Sequence, residues 1–220
     1  GTTAAITKAV NDLKSAEKTA QGAVADKITA GAQAIADIPA NIKDDKGVQD
    51  KSAALNTLLT NGTATADDIT KAINDLTSAE ATAKQALADE RTNATNAQTA
   101  ATKDTTVDAI YTASKQAVAD GTATDAQKSL VKAYDKVTDL LADANDATTT
   151  KTDLTSAEAS LQSAVDAYND ERAKVIETGN NLESDSKADT FAVHNEQAVK
   201  DAQNELQTLL TQAKDNPTNP

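Results

Sequence analysis

Residues 6–26, ITKAVNDLKSAEKTAQGAVAD, return as residues 69–89, ITKAINDLTSAEATAKQALAD. Fifteen of the 21 positions are identical, and Val10/Ile73 and Val24/Leu87 are conservative exchanges. Repetition at about 60 residues marks an array of small supersecondary modules, each of which buries its apolar face on a neighbour. A chain built this way works by reach and surface rather than through one cleft.

The periodicity is helical along nearly the whole chain. Ile69, Ile73, Leu76, Ala83 and Leu87 recur at spacings of three, four or seven and so share one helix stripe. Leu130, Tyr134, Val137 and Leu141 do the same, as do Leu154, Leu161, Val165, Tyr168 and Val175, then Val199, Ala202, Leu206, Leu209 and Ala213. Breaks rich in Gly, Pro, Asp, Asn and Thr fall at 39–47, 61–62, 101–105, 120–121, 145–150 and 179–186. They predict helices near 3–37, 46–60, 65–100, 105–119, 124–144, 151–178 and 187–214. A hydroxyl followed three residues later by an acid marks helix starts at Thr65/Asp68, Thr122/Asp125, Thr150/Asp153 and Ser186/Asp189. The reading is all-α: an elongated tandem of antiparallel three-helix bundles joined by long helices, because short loops force neighbouring helices antiparallel. Its divisions are 1–101, a repeat with a long connecting helix; 102–178, a second repeat; and 179–220, a C-terminal helix of a truncated third.

Further echoes extend the pattern. Asn61-Gly62-Thr63-Ala64-Thr65 returns as Asp120-Gly121-Thr122-Ala123-Thr124, Thr77-Ser78-Ala79-Glu80 as Thr155-Ser156-Ala157-Glu158, and Asp89-Glu90-Arg91 as Asp170-Glu171-Arg172. Their offsets differ, so the units have diverged by insertions of about a helical turn.

Composition limits what such a chain does. With no Cys, Met or Trp, one Phe and three Tyr, burial rests on Ala, Leu, Ile and Val, and slender bundles with close helix approach follow. The net charge of −13 is spread over interspersed acids and bases with no basic stripe, which excludes nucleic-acid binding and disfavours an anionic membrane surface. No stretch is apolar for long enough to span a bilayer, so no membrane insertion is expected. The absence of cysteine removes disulfides, thiol chemistry and Cys-ligated metals. The chain opens on Gly1 as an excised segment would, with no visible signal peptide or sorting motif.

The pattern resembles the FIVAR-type three-helix repeats of Gram-positive cell-wall adhesins. In that pattern a helix closes on a Leu-Leu or Val-Leu pair, an acidic loop follows, and an Ala-Thr start opens a helix with spaced Ala, Leu and Ile/Val. Leu58-Leu59, Ala64-Thr65, Ile69, Ala72-Ile73 and Leu76 fit it. Leu140-Leu141, Ala142-Asp143, Ala147-Thr148, Leu154, Leu161, Ala164-Val165 and Tyr168 fit it again, and Leu206, Leu209 and Leu210 suit the middle helix of a third unit. The resemblance implies an extracellular array, attached to the cell wall through other parts of a parent protein. Such an array spaces an adhesive tip or contacts host matrix proteins weakly and repeatedly.

Candidate chemistry is sparse. His194 has no motif spacing for a triad or a metal site. Asp143, Asn145, Asp146 and Asp153 suggest a calcium loop, but its register needs Gly and Glu where Thr148 and Leu154 stand. Glu80 and Glu158 fall in phase with the apolar stripe, as paired carboxylates of a glycosidase would; edge glutamates paired with a nearby lysine or reaching solvent are the plainer reading. Tyr111, Tyr134, Tyr168 and Phe191 suggest a shared aromatic core in the second half. Asn61-Gly62-Thr63 and Asn93-Ala94-Thr95 match the glycosylation triplet only as short strings. No catalytic, cofactor-binding or metal-binding residue is assigned, and no cofactor is expected.

The expected function is therefore a non-enzymatic structural rod or spacer of a bacterial cell-surface adhesin. The alternative is a helical binding module for a host extracellular-matrix protein such as fibronectin. The expected partners are neighbouring repeats of the same chain, and the chain itself reads as a monomer. A spacer should lack a contiguous exposed apolar patch, a binder should carry one near the Tyr-bearing half, and an enzyme should show a concave pocket of convergent polar groups.

Overall fold

In the computed structural model, which describes residues 1–103, 105–188, 196–216 and 218, the regular structure is helical. The described helices are α1 (Thr2–Ala36), α2 (Lys46–Thr60), α3 (Ala66–Thr99), α4 (Val107–Ala119), α5 (Asp125–Leu141), α6 (Lys151–Ala188) and α7 (Gln197–Asp215). A 3-10 turn at Asp143–Asn145 follows α5, and an isolated bridge between Ala101 and Thr106 closes the α3–α4 loop. Two compact units result. One holds residues 1–89 with 147–151, the other 90–146 with 152–220. The division falls inside α3, whereas the repeat reading divides the chain at 101 and sets 179–220 apart.

The helix starts rest on local chemistry. The Asp45 carboxylate accepts the backbone N–H groups of Gly47 (2.8 Å) and Val48 (3.2 Å), two donors of the first turn of α2 that no helical carbonyl can reach. Asp45→Ala is expected to cost about 1 kcal/mol, read by urea unfolding followed by circular dichroism. At α3 the Thr65/Asp68 box closes in both directions: the Asp68 N–H donates to the Thr65 hydroxyl (3.1 Å), and the Asp68 carboxylate accepts the Thr65 N–H (3.0 Å). At α5 the expected Thr122/Asp125 start is displaced by two residues. Thr124 is the cap, and Gln127 completes a box with it. Thr122 belongs instead to the end of α4, where Gly121 takes φ +74° and Thr122 N–H donates to Ala117 O (2.9 Å). That is a Schellman stop, which Gly adopts without a Cβ penalty.

The predicted break at 179–186 does not occur. α6 runs through it to Ala188, and Ser186 is not a cap but accepts a hydrogen bond from Gln203 of α7 (2.7 Å). The reason lies at Gly179. A Cβ there would stand 2.6 Å from Leu210 Cδ2, so glycine is present for the close approach of α7, not to end α6. Gly31 of α1 does the same for Leu59 of α2, at 2.7 Å. Asp189 of the fourth predicted cap, with Phe191 and His194, lies outside the described residues.

In the first unit α1 packs on α2, and Lys51 of α2 reaches Asp75 of α3 (3.9 Å). Val48, Leu55, Ile69, Leu76, Ala83 and Leu87 are buried there, so the α3 stripe lies inside as expected. In the second unit α4 packs on α5, and Leu130, Val137, Leu154, Leu161, Val165 and Tyr168 are buried. The predicted stripe of α6 ends early, since Val175 is exposed. That of α7 turns on Leu210, which is buried, while Leu209 faces out.

Candidate functional site

The two Asp-Glu-Arg segments, on α3 and α6, have a shared structural role. Arg91 Nη2 donates to Leu141 O (2.9 Å) at the C-terminus of α5, and Arg172 Nη2 donates to Ala213 O at the C-terminus of α7. Each guanidinium thereby satisfies carbonyls that a helix end leaves without an intrahelical partner, at the negative pole of the helix dipole. The glutamates before them also match. Thr155 Oγ1 donates to Glu90 Oε1, and Thr124 Oγ1 donates to Glu171 Oε2 (2.8 Å). Asp146 adds an ion pair to Arg91 (3.1 Å), which accounts for one of the acids in the calcium-like segment. Asn145 of the same segment donates to Asp139 O (2.6 Å). Among the described residues no group of three or more His, Cys, Asp or Glu is placed to hold a metal ion.

A concavity of the second unit, about 630 Å³, lies between α4, α5 and α6. Gln116, Thr124, Gln127, Tyr168, Glu171 and Arg172 are among its lining residues. Thr124 and Glu171 superficially pair as a nucleophile and a base. The Thr124 hydroxyl, however, also accepts the Gln127 N–H (3.3 Å) as the α5 cap, and the Gln127 side chain is held by the Thr124 N–H (2.9 Å). Gln127 Nε2 is buried with no partner. In this groove Arg172, Glu171 and the Gln127 amide oxygen are engaged at helix ends.

The two stripe glutamates part company. Glu80 sits beside Lys84 one turn on (3.7 Å) and follows the plainer reading. Glu158 does not: its Oε1 is buried without a partner, and burial, then the nearby Glu90 carboxylate, raises its pKa above the ordinary 4.5. A raised carboxyl favours the fold only while protonated. Its contribution is present below about pH 4.5 and is lost as pH rises through the folded value. Glu158→Gln is expected to make the protein more stable than wild type at pH 7, with the advantage vanishing at pH 4 and below. Urea midpoints at the two pH values check this.

Tyr111 and Tyr134 stack face to face, with centroids 3.7 Å apart and planes 10° from parallel. The Tyr111 hydroxyl donates to Asp135 (2.7 Å) and accepts from Lys115 (2.7 Å), which raises the lysine pKa. Tyr168 is buried in α6.

Sequence reasoning missed the helix-capping roles of Arg91, Arg172, Asp45 and Gln127. The signals were present: the repeated Asp-Glu-Arg, and the repeated Gly-Thr-Ala-Thr, whose last threonine caps the next helix in both copies. It also missed that Ala54–Thr60, ALNTLLT, returns as Glu205–Thr211, ELQTLLT, aligning Leu59 with Leu210 at the two close-approach glycines. Comparison of the chain with family models, with curated proteins and with solved structures finds no match.

Proposed function

We propose that this chain is a non-enzymatic segment of a FIVAR-like helical array that spaces a binding domain away from a bacterial cell wall. In this reading consecutive antiparallel three-helix bundles share long helices, and the array's partners are its own neighbouring repeats. The observation that carries it is the recurrence of one register. Leu76 and Leu154, each two residues before a Ser-Ala-Glu, are both buried, and Arg91 and Arg172 both seal a helix end. Residues recurring at the same structural positions serve neighbour-to-neighbour packing, which is how arrays gain stability. Among the described residues no helix is long and apolar enough to cross a membrane.

A second reading, a module that binds a host matrix protein such as fibronectin through helix faces, is favoured by exposed Val175, Leu182 and Leu209 in the Tyr-bearing half. Those residues belong to α6 and α7, which pack on each other as α1 and α2 do, and this weighs toward the array. Protease shaving of intact cells that carry the protein tests the location: peptides from this segment are expected without lysis, and protection until lysis would overturn it. Saturable binding of the chain to immobilised fibronectin would favour the second reading over the spacer.

A further inference from the structure

Three cations from separate elements converge on a second groove of the second unit. This groove, about 590 Å³, is lined by Lys103 of the α3–α4 loop, Arg172 of α6 and Lys214 in the last turn of α7. Local contacts place each of them. The loop that carries Lys103 is closed by the Ala101–Thr106 bridge, Arg172 Nη2 donates to Ala213 O, and Lys214 Nζ donates to Asn180 Oδ1 (3.4 Å). Glu177 is the one acid among the described residues of the lining, in a chain of net charge −13. Elsewhere cations sit beside acids: Lys8, Lys46, Lys71, Lys84, Lys128 and Lys187 each pair with one three or four residues away. Lys103, Arg172 and Lys214 have no acid at those spacings. Asn169, Asn180 and Asn181, with Ala173 and Ile176, complete the wall.

We infer that this groove binds a small organic anion that carries hydroxyl groups, the chemistry shared by sugar acids and sugar phosphates. The ammonium groups are donors only and match an oxyanion, whereas each Asn carboxamide both donates and accepts, as a hydroxyl partner must. Ala173 and Ile176 offer a small apolar surface to the carbon skeleton. The volume lies within the range of about 300–1,000 Å³ common to small-molecule sites. The groove is also distinct from the face on which a further helix of an array would seat. Counting about 100° per residue from Gly179, which meets α7, Asn169, Ala173, Ile176 and Asn180 fall to one side of α6. The exposed Val175 and Leu182 fall to the other. A helix covering that apolar side leaves the groove open, and Thr218, beyond α7, lines the 630 Å³ concavity and not this one. The inference is therefore independent of the array reading.

Amide NMR of the isotope-labelled chain, titrated at fixed ionic strength with glucuronate and separately with glucose 6-phosphate up to about 10 mM, tests it. Saturable shifts of the Asn169, Asn180 and Asn181 amides are expected, with a dissociation constant of about 1 mM. Glucose, which lacks the charge, is expected to leave them in place. Saturation by one anion alone supports the inference and assigns the ligand to the carboxylates or to the phosphates. Lys103→Glu and Lys214→Glu are each expected to weaken binding about tenfold or more, by loss of a charged donor. Lys128→Glu makes the same charge change on α5, outside this groove, and is expected to leave binding unchanged. All three lysines are exposed, and unchanged helicity by circular dichroism confirms each fold. No saturation by either anion, equal shifts with glucose, or equal losses in Lys128→Glu and Lys214→Glu would overturn the inference.

Discussion

Leu154→Ala is expected to destabilise the protein by about 3 kcal/mol, whereas Leu13→Ala is expected to change it by less than about 0.5 kcal/mol. Both leucines stand two residues before a Ser-Ala-Glu and belong to the same position of the repeat. The cost of truncating a leucine combines the apolar area returned to water with the cavity left in packing that relaxes only partly. Leu154 is fully buried and meets both terms; Leu13, 60% exposed, meets neither in the isolated molecule. Urea denaturation followed by circular dichroism on dilute protein reads the difference. Equal costs at the two positions would contradict the difference in burial between the two copies of this repeat position.

Tyr168→Ala is expected to cost about 3–5 kcal/mol, the range for removing a large aromatic from a core. Tyr168 is 1% exposed and is among the largest fully buried side chains, and among the described residues the other buried hydrophobic side chains are aliphatic. Burial is also the leading cause of its raised phenol pKa, ahead of the opposing influence of Arg172. Its neighbours in sequence, Glu171 and Arg172, hold Thr124 and the end of α7, so a collapse around the missing ring also loosens those contacts. The urea midpoint reads the loss. A change below about 1 kcal/mol would place Tyr168 outside the cooperative core.

Much of the fold was legible because helices announce themselves through local chemistry. The three-and-four spacing of Ile69, Ile73 and Leu76 and the reciprocal Thr65/Asp68 box are contained within a few residues, and they hold in the structure. What was not legible depends on a neighbour far along the chain. Gly179 reads as a break, yet it is a contact point for Leu210, and nothing local separates the two. Leu209 and Leu210 are adjacent and equally apolar, so their opposite exposure is set by where α6 lies. The duplicated phrase makes the point most sharply. Its two copies carry the same helical information, and one is buried and the other exposed, because burial belongs to the surroundings of a segment and not to the segment. The candidate site was less legible still. Arg91 and Arg172 act on helix ends about 40–50 residues away in sequence, and only the repetition of Asp-Glu-Arg pointed to them.

The central proposal is that these helices form consecutive bundles of an array. At 1.5 Å per residue the longest helices, of 34 to 38 residues, are each about 50–57 Å long. Small-angle X-ray scattering on the dilute chain measures its maximum dimension. The array predicts about 90 Å or more with a rod-like distance distribution. A maximum near 55 Å, no more than the length of a single helix, would mean that the helices fold back on one another and would contradict it.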